Sequence, residues 1–144
     1  MRSKTGMRAM FGLLFLAGLL SLAGLSAQTP EKAAEVPEVP ESAKRIRNPV
    51  ESTPDSVSNG KQIYSSQCVM CHGLGGNGKG DLGITLKYTI PDLTTREAQQ
   101  ARTDGEWFYI LTHGHGDMIG EGERLSEKIR WDLVNYLRSL GPKT

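Results

Sequence analysis

An all-α fold in one small domain is what this sequence predicts, and three observations carry the prediction. Toward the end of the chain, Ile129, Leu133, Val134, Tyr136, Leu137 and Leu140 recur at three- and four-residue spacing, the apolar stripe of an amphipathic helix. Upstream, Thr103 and Glu106 form a T-x-x-E capping box just before Trp107, Phe108, Ile110 and Leu111. No stretch of the folded part alternates apolar and polar residues convincingly enough to argue a strand. The domain covers residues 57–144, 88 residues, a size at which a hydrophobic core alone gives little stability.

Residues 1–27 have the form of an export signal. Arg2, Lys4 and Arg8 make a positive start, residues 11–25 are uncharged and mostly apolar, and Leu25-Ser26-Ala27 is an imperfect cleavage site. The apolar run of 15 residues falls short of the about 20 needed to cross a bilayer. The expectation is a leader for the periplasm, or an anchor if it stays uncleaved. Residues 28–56 hold five of the seven prolines with Glu, Ala, Val and Ser between them. That composition reads as an extended, disordered linker, either a tether or a plain tail.

Ser58 can cap a first helix, in which Gly60, Ile63, Tyr64, Gln67 and Cys68 share a face. That helix leads into Cys68-Val69-Met70-Cys71-His72, which contains both cysteines of the chain. C-x-x-C-H is the attachment signal for c-type haem. Two thiols three apart on a helical turn reach the same porphyrin edge and form thioethers with its two vinyl groups. The histidine that follows directly is placed to be the proximal iron ligand. Other readings of C-x-x-C are a zinc site completed by His113 and His115, or a redox dithiol, which needs a βαβ context that is absent here. A porphyrin also answers the size problem, since it acts as a large apolar core element. One haem c, covalently held, is the expected cofactor.

Residues 73–83 are glycine-rich but lack the Walker spacing and its Lys-Ser/Thr ending, so a tight turn around the haem edge is the expected role. Gly114 is placed to end the helix that the capping box starts. The last helix runs over about residues 126–140, with Gly141 and Pro142 as its stop.

The sixth iron position has five candidates: Met118, His113, His115, Met70 and water. Met70 lies within the attachment turn, on the proximal side. Met118 sits between glycines in Gly114-His115-Gly116-Asp117-Met118-Ile119-Gly120, a flexible loop between two helices that can present a thioether to the opposite face. His115 is its rival. Histidine with methionine gives a filled coordination sphere and a raised potential, suited to electron transfer. An open position suits a sensor or catalyst.

Charge excludes one partner class. Without residues 1–27 the chain keeps 14 Lys and Arg against 16 Asp and Glu, and from residue 57 onward there are ten of each sign. No basic stripe for a phosphate backbone is present, so nucleic acid is not an expected partner.

Read together, these residues resemble the class I cytochrome c family over nearly all of residues 57–140. The resemblance rests on Gly60-Lys61-x-Ile63-Tyr64, Cys68-x-x-Cys71-His72-Gly73, Pro91-Asp92-Leu93-Thr94, Asp104-Gly105, Gly114, Met118, and Leu125-Ser126 through Trp131, Tyr136 and Leu140. It implies a small all-α fold wrapped around the covalently attached haem, with first and last helices crossing at Gly60, Tyr64, Leu133 and Tyr136. It implies that the Pro91 carbonyl accepts a hydrogen bond from His72. Many relatives place proline directly after the ligand methionine, where this chain has Ile119, which implies a looser loop. The function implied is that of a monohaem electron carrier, not itself an enzyme, docking transiently with a redox donor and acceptor. The alternatives are a haem subunit of a membrane respiratory or dehydrogenase complex, or a haem sensor or catalyst with an open distal site.

Overall fold

The computed structural model describes residues 32–33 and 37–143. Residues 1–27, read as a leader, lie outside the described residues. Among the described residues six helices carry the architecture: α1 (Glu41–Lys44), α2 (Pro54–Gln67), α3 (Val69–His72), α4 (Arg96–Gln100), α5 (Asp104–His113) and α6 (Glu127–Ser139). A short 3-10 turn spans Gly83–Thr85. Two pairs of two-residue strands complete the fold. β1 (Lys32–Ala33) pairs in parallel with β2 (Tyr88–Thr89), and β3 (Gly114–His115) pairs antiparallel with β4 (Met118–Ile119). These bridges were not expected, because two residues are too few to show a period.

α2 starts earlier than Ser58. Its N-cap is Thr53, whose hydroxyl accepts from the Ser56 amide at 3.2 Å, and Pro54 occupies the first turn. A proline there costs no hydrogen bond, since first-turn amides have no partner within the helix. The capping box of α5 forms as the sequence predicts: Glu106 N–H donates to Thr103 Oγ1, and Thr103 N–H donates to Glu106 Oε2. Ser126 caps α6, accepting from the Ile129 amide.

α2 and α6 cross at Gly60. A Cβ there would lie 2.2 Å from the Asp132 carbonyl oxygen and 2.8 Å from Tyr136 Cβ. Beside this contact the rings of Tyr64 and Tyr136 pack 5.1 Å apart. Leu133 and Val134 are fully enclosed, and the core continues through Trp107, Leu111, Trp131 and Leu137. Phe108 stacks on Trp131 at 3.9 Å, joining α5 to α6. Arg138 fixes the other end of that pair: its Nε donates to Asp104 at 2.7 Å and its guanidinium lies over the Trp107 ring.

Every residue of α6 from Arg130 to Leu137 is buried, polar ones included. Asp132 and Asn135 share one network, while Arg130 donates from Nη1 to the Gly122 and Leu125 carbonyls and leaves its buried Nε without a partner. Ser56 Oγ donates to Asp132 Oδ1 at 2.6 Å, Lys128 Nζ donates to Asp132 Oδ2 at 2.8 Å, and Asn135 Nδ2 donates to Ser56 Oγ at 2.9 Å. Burial opposes ionisation of Asp132, but the hydrogen bonds from Lys128, Ser56 and Asn59 hold its carboxyl below the ordinary carboxylate value.

The third side of α6 is covered by a segment that the composition assigns to a linker. Of residues 28–56, those from 37 onward pack on the domain. Val39 and Ala43 are buried. A Cβ on Gly105 would lie 2.0 Å from the Ala43 carbonyl oxygen, so α1 rests directly on α5. Asn48 Nδ2 donates to Asn135 Oδ1 at 2.8 Å, and Asn135 Nδ2 donates to the Val50 carbonyl at 3.1 Å. This strap is held by single buried residues and by side chains of distant elements, which is why no periodic pattern announced it. Among the described residues no helix is long and apolar enough to cross a membrane.

Gly60→Ala should lower stability by about 2 kcal/mol, seen as a lower denaturant midpoint with an unchanged slope. The gain of about 1 kcal/mol that alanine has over glycine in a helix interior is outweighed by the clash with Asp132. Because its folded-state pKa is lowered, the stability contributed by Asp132 is fully present above its ordinary value of 3.8 and lost as pH falls through the folded value. Asp132→Asn should therefore be destabilised at neutral pH, and its deficit in denaturant midpoint should shrink toward pH 2.

Candidate haem site

The attachment turn is positioned by the end of α2. Cys68 closes that helix, its N–H donating to the Tyr64 carbonyl at 2.9 Å, and α3 follows as a single turn. The Cys71 and His72 amides both donate to the Cys68 carbonyl, at 3.2 and 2.9 Å. The two thiols therefore sit one helical turn apart, and both are free. Burial first, and then the negative charge of Glu121, push the Cys68 thiol up to about 12. Cys68 therefore does not favour the thiolate that a nucleophilic thiol requires.

The glycine-rich segment folds back beneath this turn. Gly78 N–H donates to the His72 carbonyl at 2.8 Å, Gly80 N–H to that of Cys71 at 3.2 Å, and Leu82 N–H to that of Met70 at 2.8 Å. A Cβ on Gly83 would lie 2.2 Å from the Cys71 carbonyl oxygen, so the backbone approaches closer than any side chain allows. Tyr64 Oη donates to the Gly73 carbonyl at 2.8 Å. The helix crossing is thereby tied to the first residue after the motif.

Burial pushes the His72 imidazole below its ordinary pKa and keeps it neutral, the form that binds a metal. Its Nδ1 is buried with no hydrogen-bond partner. The bond from His72 to Pro91 that the resemblance implies is therefore not made here. Pro91 is nonetheless held beside the attachment loop: a Cβ on Gly78 would lie 3.3 Å from the Pro91 carbonyl oxygen, and Leu93 N–H donates to the Gly76 carbonyl at 2.8 Å.

Met118 is carried on a hairpin, not on the flexible loop expected from its glycines. His115 pairs with Met118 and Gly114 with Ile119. Gly114 has φ 76°, and a Cβ on it would lie 2.3 Å from the Met118 carbonyl oxygen, so glycine is required there. Met118 is partly buried, packing on the same core cluster as Cys68, Val69 and Leu93. His113 is exposed, donates from Nδ1 to the Tyr109 carbonyl at 2.9 Å, and stacks on the Tyr109 ring. Met70 is 60% exposed on the attachment turn. Among the described residues no group of three or more His, Cys, Asp or Glu is placed to hold a metal ion, which leaves the zinc reading without a ligand set.

Sequence reading missed two neighbours of the site. Glu121 is buried, paired with Arg124 through Arg124 Nε at 3.0 Å, and its charge acts on Cys68. Tyr88 Oη donates to Asp117 Oδ2 at 3.0 Å. A charged residue directly before Met118 was the one available signal for the second.

An orphaned neutral imidazole beside two thiols on one turn fits a covalent porphyrin, and relatives agree. The family described as cytochrome c oxidase, cbb3-type, subunit III, matches residues 55–137. The chain belongs to the monohaem cytochrome c family. Cytochrome c6 of Bumilleriopsis filiformis is 32% identical over 83 residues, 58% of this chain and 90% of that protein. The solved c-type cytochrome KustC0563 has a TM-score of 0.52 and 26% identity, covering 58% of this chain and 98% of that one. A chain of the reducing HAO-like protein complex of Kuenenia stuttgartiensis has a TM-score of 0.55 at 24% identity over 65% of this chain. This chain spans only 47% of that one, and the likeness shows the fold. The cofactor is a covalently bound haem c, and the protein is a c-type haem electron carrier. When bound, the haem supplies one-electron chemistry at its iron.

Replacing both Cys68 and Cys71 by alanine should abolish covalent attachment. A haem stain of the protein on a denaturing gel should be negative for the double variant and positive for the wild type.

Proposed function

We propose that this cytochrome is an exported, periplasmic single-electron carrier with His72 and Met118 as axial ligands and no catalytic activity of its own. The observation that carries the reading is the placement of Met118. Of the side chains available for the sixth position, it is the one packed against the core cluster on which Cys68 also packs, on a hairpin of fixed register. His113 is committed to Tyr109, and Met70 faces solvent. In this reading burial keeps the His72 imidazole neutral, its unpartnered Nδ1 would be free to donate to the Pro91 carbonyl once haem is bound, and Cys68 and Cys71 would hold the ring by two thioethers.

With His72 and Met118 both bound, no position would stand open to water, and neither redox state would need to gain or lose a ligand. Exposed apolar side chains stand in the motif, Met70, on the segment that folds back beneath it, Leu82 and Ile84, and on the hairpin, Ile119. Such a surface suits brief contact with a redox protein donor and acceptor. Residues 1–27 serve as the leader, or as an anchor if uncleaved.

A second reading, a haem subunit of a membrane oxidoreductase complex, is favoured by the family description and by the complex among the structural neighbours. The reading as a sensor or catalyst with an open distal site predicts high-spin ferric iron and ready binding of carbon monoxide.

Optical spectra of the purified holoprotein test the ligation. The wild type should be low-spin with a thioether-to-ferric charge-transfer band, and Met118→His should lose that band while keeping the haem. A variant that retains the band removes Met118 from the coordination sphere.

A further inference from the structure

The hairpin that carries Met118 is well tied at its root. Glu121 N–H donates to the Leu111 carbonyl at 2.7 Å, Gly122 N–H donates to that of Thr112 at 3.0 Å, and Arg124 pairs with Glu121. Its tip, Gly116-Asp117, has no such backbone ties to α5. No proline follows Met118 to fix the chain there, since Ile119 occupies that position. What reaches the tip is Tyr88, whose hydroxyl donates to Asp117 Oδ2 at 3.0 Å.

Tyr88 belongs to the other side of the site. It follows the 3-10 turn at Gly83–Thr85, which packs on α3, and the chain just before that turn is bonded to the Met70 carbonyl. Cys71 is close enough to act electrostatically on the Tyr88 hydroxyl. The Tyr88–Asp117 bond thus joins the segment packed on the attachment turn to the segment that carries Met118. It spans 29 residues of sequence and connects the two walls of the site.

We propose that the Tyr88–Asp117 hydrogen bond is a latch that holds the Met118 hairpin closed and so sets how readily an outside ligand displaces the methionine from iron. Tyr88 and Asp117 are positioning residues and act through Met118. The inference rests on the ligation reading above. The physical argument is a simple competition. An incoming ligand must first swing the Met118 tip away, and any bond made only in the closed state opposes that opening. A hydrogen bond to a carboxylate is stronger than a neutral one but is weakened by solvent at this exposed position. The expected effect is accordingly modest.

The test is titration of the ferric holoprotein with imidazole, followed by loss of the charge-transfer band, alongside denaturant unfolding. Tyr88→Phe removes the donor and keeps the ring. It should bind imidazole about five-fold more tightly, with a denaturant midpoint close to wild type. Asp117→Asn keeps an acceptor oxygen and should fall between the two. Tyr88→Phe combined with Asp117→Ala should bind imidazole no more tightly than Tyr88→Phe alone, because both changes break one bond. Wild-type affinity in Tyr88→Phe, with the band present, overturns the latch and leaves Met118 ligation standing. A wild type without the band overturns both. If Tyr88→Phe fails to fold, the comparison of Asp117→Ala with Asp117→Asn decides the question, and equal affinities overturn the latch.

Discussion

The contact between Gly60 and the Asp132 carbonyl is the constraint from which the rest of the molecule follows. It lets α2 and α6 touch backbone to backbone, and that closeness brings Tyr64 against Tyr136. Tyr64 then reaches the Gly73 carbonyl, and the last residue of the same helical run is Cys68. Position is thus passed from a helix crossing to an attachment turn within about two turns of one helix. The order of causes is steric first and hydrogen-bonded second. Without the missing side chain at residue 60, the buried Ser56–Asp132–Asn135 network would have no common register in which to form.

The chain solves two problems with different means. The proximal side is rigid through backbone hydrogen bonding: the carbonyls of Met70, Cys71 and His72 each accept from the returning glycine-rich segment. The segment that carries Met118 is held through strand register and side chains, with a short hairpin, the Glu121–Arg124 pair and Tyr88. This asymmetry suits the chemistry. One half must be formed around two covalent links, whereas in the proposed ligation Met118 would depend on the hairpin to place it.

How much of this could be read from residues alone varied with the kind of signal. C-x-x-C-H is local and chemically specific, and the capping box at Thr103 and the stop after residue 140 are local too; all three are found where the sequence put them. The start of α2 was misjudged because Ser58 and Thr53 are both good caps, and the decision falls to Pro54. The hairpin at Met118 looked like a loose loop because its glycines serve close backbone approach as well as flexibility, and composition does not distinguish the two uses. The strap was invisible for a further reason. Its order is supplied by Gly105 and Asn135, residues that lie in other elements far along the chain. Tyr88 and Asp117 meet across 29 residues, a distance at which a single sequence carries no pairing information.

The strap changes the range over which this domain can operate. Residues 37–56 pack on the domain, so twenty residues of the expected linker are not free to extend. At roughly 3.3 Å of contour per residue, that removes about 65 Å of reach. Were the leader retained in a membrane, the haem would be confined near that surface. It would meet the partners that share it and be out of range of those diffusing farther away.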